Sequence, residues 1–168
     1  MIDDEDDFED DDIDLERFEA QQDERVRGAK FSHYEQAVDE LRKGRKQSLW
    51  MWFVFPQCDG ISEWRGGKPS EMTLWFGVAG LSEATAYLGH EALGPRLIEC
   101  FQLCLDSGES DPSKIFGAAD AAKLHACATL FSRVEGADPV FAKAIDTFFN
   151  GKPCDATVAL TGDSPAGR

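Results

Sequence analysis

The segment SHYEQAVDELRKG, residues 32–44, decides the fold class because it carries the complete signature of an amphipathic α-helix. Apolar side chains recur there every three or four residues, which is the repeat of one helix face. Ser32 is the predicted N-cap, with Glu35 three residues later as its capping-box partner, and Gly44 can end the helix. The charged side chains are expected on the outer face, and they are Glu35, Asp39, Glu40, Arg42 and Lys43.

Similar start and stop signals run through the rest of the chain. Residues 15–26 have helical spacing, and the uncharged aromatic run from residue 49 indicates a short helix that breaks before Pro56. Residues 58–69 contain three glycines and a proline and predict an exposed loop. No alternating strand pattern or hairpin turn is visible, so we predict an all-α, compact single domain of seven to nine mostly short helices. Further helices are expected to start at or beside Ser70, Ser82, Gly94, Asp111, Asp120, Asp138 and Thr157.

The negative charge is concentrated at the N-terminus. The formal net charge is −15, and residues 1–16 hold eleven acidic side chains and no basic one. Like charges at this density repel one another and bury no surface, so we predict a disordered acidic tail over residues 1–12. The helical domain is expected over residues 13–162, followed by a flexible C-terminus over residues 163–168. The tail either keeps the protein soluble or binds a basic partner, which could be a basic patch of its own domain.

Composition and motif spacing argue against several classes of protein. The longest apolar stretch, Leu49 to Pro56, is far shorter than a membrane span, and no signal-peptide pattern opens the chain. The acidic balance opposes nucleic-acid binding, which relies on neutralising phosphates. The five cysteines form no Cys-x-x-Cys pair and the three histidines are far apart, so we predict no metal site and no cofactor. Buried, reduced cysteines are expected, as in a cytoplasmic protein.

Residues 45–57 have the composition of a ligand pocket as well as that of a core. An Arg-Lys pair precedes a run of eight uncharged residues with four aromatic rings, which ends in Pro56 and is followed by a glutamine. Indole rings can stack on a base or a sugar, and arginine can hold a phosphate or a carboxylate. The alternative is a core segment with a solvated basic flank. If the segment lines a pocket, the predicted ligand-binding residues are Arg45, Lys46, Trp50, Trp52, Gln57, Ser70 and Lys123.

Several strings in the chain resemble those of a known family. They include Trp50-Met51-Trp52-Phe53-Val54-Phe55-Pro56-Gln57, Leu93-Gly94-Pro95-Arg96-Leu97 and Phe148-Phe149-Asn150-Gly151. They are similar, in order and spacing, to the uncharacterised bacterial family called domain of unknown function 1810, over about residues 14–160. The resemblance implies a compact, mainly helical single domain and no established reaction. Some members carry the label calpastatin, but calpastatin acts through disordered repeats, which a domain with this many aromatic residues does not resemble.

The chain departs from the pattern of that family in three places. The resemblance implies a histidine where this chain has Leu49, a Ser-Ser-Met run at residues 126–128, and a proline where this chain has Glu91. If the histidine and the serine carry chemistry in the family, this chain lacks both.

Three hypotheses for the function follow. The first is a domain that binds a small anionic, nucleotide-like ligand in the aromatic and basic pocket. The second is a protein-interaction module that uses the acidic N-terminal tail. The third is an enzyme acting on a nucleotide-like or sugar-phosphate substrate, in which Arg45 and Lys123 stabilise negative charge and Glu71 acts as a base.

Overall fold

The computed structural model describes residues 14–162, which contain eleven helices and no strand. The tail predicted for residues 1–12 and the C-terminus predicted for residues 163–168 lie outside this range. In chain order the helices are α1 (Glu16–Asp23), α2 (His33–Arg42), α3 (Met51–Val54), α4 (Ile61–Trp64), α5 (Glu71–Trp75), α6 (Gly80–Gly89), α7 (Leu93–Asp106), α8 (Pro112–Phe116), α9 (Ala118–Ser132), α10 (Val140–Phe149) and α11 (Asp155–Thr161). The all-α class is confirmed, with more helices than the predicted seven to nine.

Local capping signals were predicted correctly at several helix ends. The capping box at the start of α2 is formed, because the Ser32 hydroxyl accepts from the Glu35 N–H and the Glu35 carboxylate accepts from the Ser32 N–H. Asp111 accepts from the Ser113 N–H at the start of α8, where Pro112 occupies the first helical position. These caps could be predicted from the sequence alone because the two hydrogen-bond partners lie within three residues of each other in the chain.

Other boundaries were predicted wrongly. The expected loop over residues 58–69 contains the single turn of α4, and α6 begins at Gly80 rather than at Ser82. Asp120 does not cap α9, because the helix already begins at Ala118 and the Asp120 carboxylate pairs with lysines instead. Tertiary partners outweigh the local capping preference at this position.

The core forms around α9, which packs against α6, α8, α10 and α11. A second layer joins α7 to α2, α6 and α10, while α1 covers α2 and α3. Aromatic rings bridge these layers in edge contacts, such as Phe18 with Tyr87 at 5.1 Å and Phe55 with Phe101 at 5.0 Å between ring centroids. This packing holds α3 and the loop before it against the N-terminal half of α9.

All five cysteines are buried and free, as predicted, and they are Cys58, Cys100, Cys104, Cys127 and Cys154. Within residues 14–162 no group of three histidine, cysteine or carboxylate side chains is arranged to hold a metal ion. None of the helices between those residues combines the length and the apolar character needed to cross a membrane.

Candidate functional site

The aromatic segment lines a crevice that we call the Trp52 crevice. It lies where α3, α5 and α9 meet, and its recess measures about 10 Å³, room for about one water molecule. The residues that line it are Trp52, Phe55, Gln57, Thr73, Phe76 and Lys123. Three of them, Trp52, Gln57 and Lys123, are predicted site residues.

The single turn of α3 determines which aromatic rings reach this crevice. Phe53 and Phe55 are buried and Trp50 is wholly buried, whereas Trp52 is half-buried. Trp52 thus keeps part of its surface accessible, and it lines the crevice. Phe55 and Phe76 form the apolar floor of the crevice.

The wall formed by α5 is held by Ser70. The Ser70 hydroxyl accepts from the Thr73 N–H at 3.1 Å and lies 3.0 Å from the Thr73 hydroxyl. Gln57, which also lines the crevice, is held by its backbone, since its carbonyl accepts from the Val78 N–H at 2.9 Å. Ser70 therefore positions Thr73 and is not itself among the residues that line the crevice.

A row of charges lies behind the crevice, centred on Asp120. The Lys46 ammonium is 2.8 Å from one Asp120 oxygen, and the Lys123 ammonium is 3.5 Å from the other. The Lys123 ammonium also lies over the Trp52 ring, 6.0 Å from its centroid. Lys46 is the closer partner of the carboxylate, and it is largely buried, whereas Lys123 keeps about a quarter of its side chain exposed.

The structure places Trp50 and the Lys46 side chain in the interior, and neither residue lines the Trp52 crevice. The Trp50 indole N–H donates to the Glu40 carboxylate at 2.9 Å, and the Lys46 ammonium lies 5.1 Å from the Trp50 ring centroid. Trp50 is 0% exposed, so its ring has no free face for a ligand. These two residues support the loop between α2 and α3 from within.

Glu40 is a buried carboxylate, although the helical pattern placed it on the outer face of α2. Its oxygens accept from the Gln47 N–H, the Ser48 N–H, the Ser48 hydroxyl and the Trp50 indole. Burial by itself raises the pKa of Glu40, but the hydrogen bonds from Ser48, the Gln47 backbone and Trp50 outweigh it, and the pKa is lower than usual. The ionised carboxylate therefore fastens the loop between α2 and α3.

Arg45 lies in a different recess, which we call the Phe31 groove. This groove has a volume of about 640 Å³ and runs along α2. The residues that line it are Lys30, Phe31, Glu35, Gln36, Asp39, Glu40, Lys43, Arg45 and Gln47. Because Arg45 and Lys123 line separate recesses, the structure does not bring together the two cations of the enzyme hypothesis.

Sequence patterns did not indicate the roles of Asp120, Glu40 and Thr73. The sequence pattern predicted Asp120 as a helix cap and Glu40 as an exposed residue of a helix face. In the structure Asp120 pairs with two lysines and Glu40 is buried. Thr73 follows Ser70 by three residues, which is the spacing of a capped first turn. That spacing was the available sign that the two hydroxyls lie together.

Comparisons with known proteins agree with the geometry of this domain. Residues 12–161 match the family described as "Protein of unknown function (DUF1810)". The chain belongs to the DUF1810 family. A crystal structure of the conserved hypothetical protein Rv1873 from Mycobacterium tuberculosis is similar to this DUF1810 domain, with 38% sequence identity and a TM-score of 0.77, over 88% of this chain and 96% of that one. No curated protein matches the chain.

The positions at which this DUF1810 chain departs from the pattern expected for the family differ in environment. Leu49, where the resemblance implies a histidine, is 76% exposed. Ala126 and Cys127, where it implies serines, are both buried in α9. None of these three residues lines the Trp52 crevice.

Proposed function

We propose that this DUF1810 domain binds a small anionic ligand with a flat, nucleotide-like group at the Trp52 crevice. The observation that carries the proposal is the placement of Lys123 beside Trp52. The ammonium lies over the half-buried Trp52 ring, 6.0 Å from its centroid, and the Asp120 carboxylate that could neutralise it has a closer partner in Lys46. Lys123 is thus the cation of this row that can pair with an anion from outside.

The size of the crevice limits how such a ligand lies. A recess with room for one water molecule admits one small group, so the bulk of the ligand lies across the mouth. There a phosphate or carboxylate contacts the Lys123 ammonium and a flat ring packs on Trp52. Gln57 and Thr73 supply further polar groups to the crevice.

The experiment is a thermal-shift screen of the full chain against nucleotides, sugar phosphates and aromatic carboxylates. A ligand at about 100 times its dissociation constant stabilises the fold by about 2.7 kcal/mol, which corresponds to several degrees in a domain of this size. The same titration followed by tryptophan fluorescence reports whether Trp52 is near the ligand.

Two variants make the screen specific. Lys123→Met removes the cation of the crevice, and we expect it to abolish the shift. Lys114→Met is the matched control, because Lys114 is an exposed lysine at the end of α8 that does not line the crevice, and it should leave the shift unchanged. A ligand that stabilises Lys123→Met as well as the unmodified chain binds elsewhere, and this would contradict the proposal. Absence of any shift across the panel would contradict it too.

A further inference from the structure

The Phe31 groove is much larger than the Trp52 crevice, about 640 Å³ against about 10 Å³. Its volume lies within the range of protein ligand sites, about 300–1,000 Å³. Phe31 lies against it with 44% of its surface exposed, a high value for a phenylalanine in a domain whose other aromatic rings are mostly buried. The groove therefore offers an apolar contact within a polar surface.

The groove lies in the most basic part of the chain. Seven of the 17 lysine and arginine residues fall within residues 25–46, against three acidic residues there. Lys30 and Arg45, which line the groove, are exposed and make no ion pair or side-chain hydrogen bond with any residue between 14 and 162. The same holds for the neighbouring Arg25, Arg27 and Arg42 within that range.

The three acidic residues of this part of the chain already have partners. The Glu35 carboxylate accepts from the Ser32 N–H, and the Asp39 carboxylate pairs with the Lys43 ammonium at 3.1 Å. Glu40 is buried beneath the loop between α2 and α3, where it accepts the hydrogen bonds described above. The pair of Asp39 and Lys43 is neutral, and the carboxylates of Glu35 and Glu40, whose donors are neutral, balance Lys30 and Arg45. The excess of positive charge around the groove therefore comes from the flanking Arg25, Arg27 and Arg42.

We propose that the Phe31 groove binds the acidic N-terminal segment of the same chain, residues 1–13. This segment holds nine acidic side chains and no basic one, so its charge is complementary to that of the basic residues in and beside the groove. The acidic residues near its far end, Asp3 and Asp4, can pair with Lys30 and Arg45. The proposal is independent of any ligand at the Trp52 crevice.

The length of the segment is sufficient for this contact. The segment joins the described chain at Asp14, and α1 then rises about 1.5 Å per residue over its length. The Val26 N–H donates to the Phe31 carbonyl, which brings the groove back beside the end of α1. The path from Asp14 to Phe31 is therefore at most about 35 Å, whereas 13 residues can span up to about 45 Å.

Tethering makes the weak electrostatic contact effective. Exposed ion pairs contribute little individually and are screened by salt. A segment attached to the same chain is present at an effective concentration in the millimolar range, so several such pairs can hold it in place. A segment with nine acidic side chains can form several such pairs, and their combined stabilisation is larger than that of one pair.

The experiment measures the proximity of the segment to the groove in the full chain. A nitroxide label is attached at Ile2→Cys, since the five native cysteines are buried. At low salt we expect selective broadening of the backbone amide signals of the groove, including those of Phe31, Gln36 and Gln47. The broadening should disappear at about 0.5 M salt, where the screening length falls to a few ångströms.

Charge-reversal variants test the site. Lys30→Glu with Arg45→Glu should abolish the broadening, whereas Lys68→Glu with Lys152→Glu changes the charge equally at exposed residues outside the groove and should retain it. Persistence of the broadening in the groove variant, or its absence in the unmodified chain, would overturn the proposal. Broadening that appears only between a labelled chain and a separate isotope-enriched chain would also overturn it, in favour of a second copy as the occupant.

Discussion

The Lys46 ammonium lies 2.8 Å from the Asp120 carboxylate and joins the loop before α3 to the first turn of α9. The backbone of the same loop is bound to α8, because the Lys46 N–H donates to the Ile115 carbonyl at 2.8 Å. The pair is largely enclosed, and it holds the wall of the Trp52 crevice in place. It also makes Lys123 the more available of the two lysines beside Asp120.

The first prediction concerns this ion pair. Lys46→Met should lower the free energy of unfolding by about 2 kcal/mol, less than the ~3–5 kcal/mol of a fully enclosed pair because Lys123 remains beside Asp120. Lys123→Met should cost less than about 1 kcal/mol, since its side chain is more exposed and its contact is longer. Urea denaturation of the full chain measures both values. Equal losses in the two variants would show that Asp120 does not prefer Lys46.

The second prediction concerns the dependence of stability on pH through Glu40. Its pKa is lower in the folded state than in the unfolded state, so the stability it contributes is present above the unfolded value of about 4.3 and is lost as the pH falls through the folded value. Glu40→Gln should therefore be less stable at pH 7, by about 1–3 kcal/mol. The difference in the free energy of unfolding between the variant and the unmodified chain should become smaller as the pH falls below 5.

Urea denaturation at a series of pH values checks this result. Glu91→Gln is the matched control, because Glu91 is exposed and accepts no hydrogen bond from residues 14–162. Its stability should run parallel to that of the unmodified chain at every pH. If the difference in the free energy of unfolding between Glu40→Gln and the unmodified chain stayed constant with pH, the charge of the Glu40 carboxylate would have no part in holding the loop.

The third prediction uses two glycines near the junction of α6 and α7. A Cβ atom at Gly94 would lie 2.2 Å from the Leu88 carbonyl oxygen, so Gly94→Ala forces the two helices apart and should cost about 2–3 kcal/mol. Gly89 is also helical, but a Cβ atom there would meet no atom within 4 Å, so Gly89→Ala should be neutral or stabilise the fold by up to about 1 kcal/mol. Thermal unfolding of both variants measures the difference. Equal effects would contradict the close approach of α7 to Leu88.

The fourth prediction concerns the reactivity of the cysteines. Burial is the largest cause that raises the pKa of Cys58 to about 12 and that of Cys100 to about 12, so at pH 8 both are present as thiols. The other three are buried too. An aromatic disulfide reagent should therefore titrate no cysteine rapidly in the folded chain and all five in denaturant. Rapid reaction of one thiol in the folded chain would show local opening around it.

The part of the fold that could be predicted from the sequence is the part with local causes. The capping box of Ser32 and Glu35, the Asp111-Pro112 start and the break of α3 before Pro56 involve neighbours in the chain, and the structure confirms them. The turn of α4 was missed because glycines on either side of it resemble a loop. Glu40 was predicted at the surface because helical periodicity does not show which polar side chain will meet hydrogen-bond donors from another part of the chain.

The candidate site, too, could be predicted only in part from the sequence. The aromatic and basic composition of residues 45–57 is visible in the sequence, but its distribution between core and surface is not. Trp50 and Trp52 are two positions apart, and the first is fully buried while the second borders the crevice. Arg45 and Lys46 are adjacent, yet one lines the Phe31 groove and the other pairs with Asp120.

The sequence by itself determined the all-α class, most of the helices and the membership of the DUF1810 family, because periodicity, capping and characteristic strings are properties of neighbouring residues. Only the tertiary structure decided which predicted ligand residues share a surface. Lys46 meets Asp120 across 74 positions, and Trp52 meets Lys123 across 71. Such distances are set by the packing of α3 and α9 through the shared core, and no local pattern encodes them.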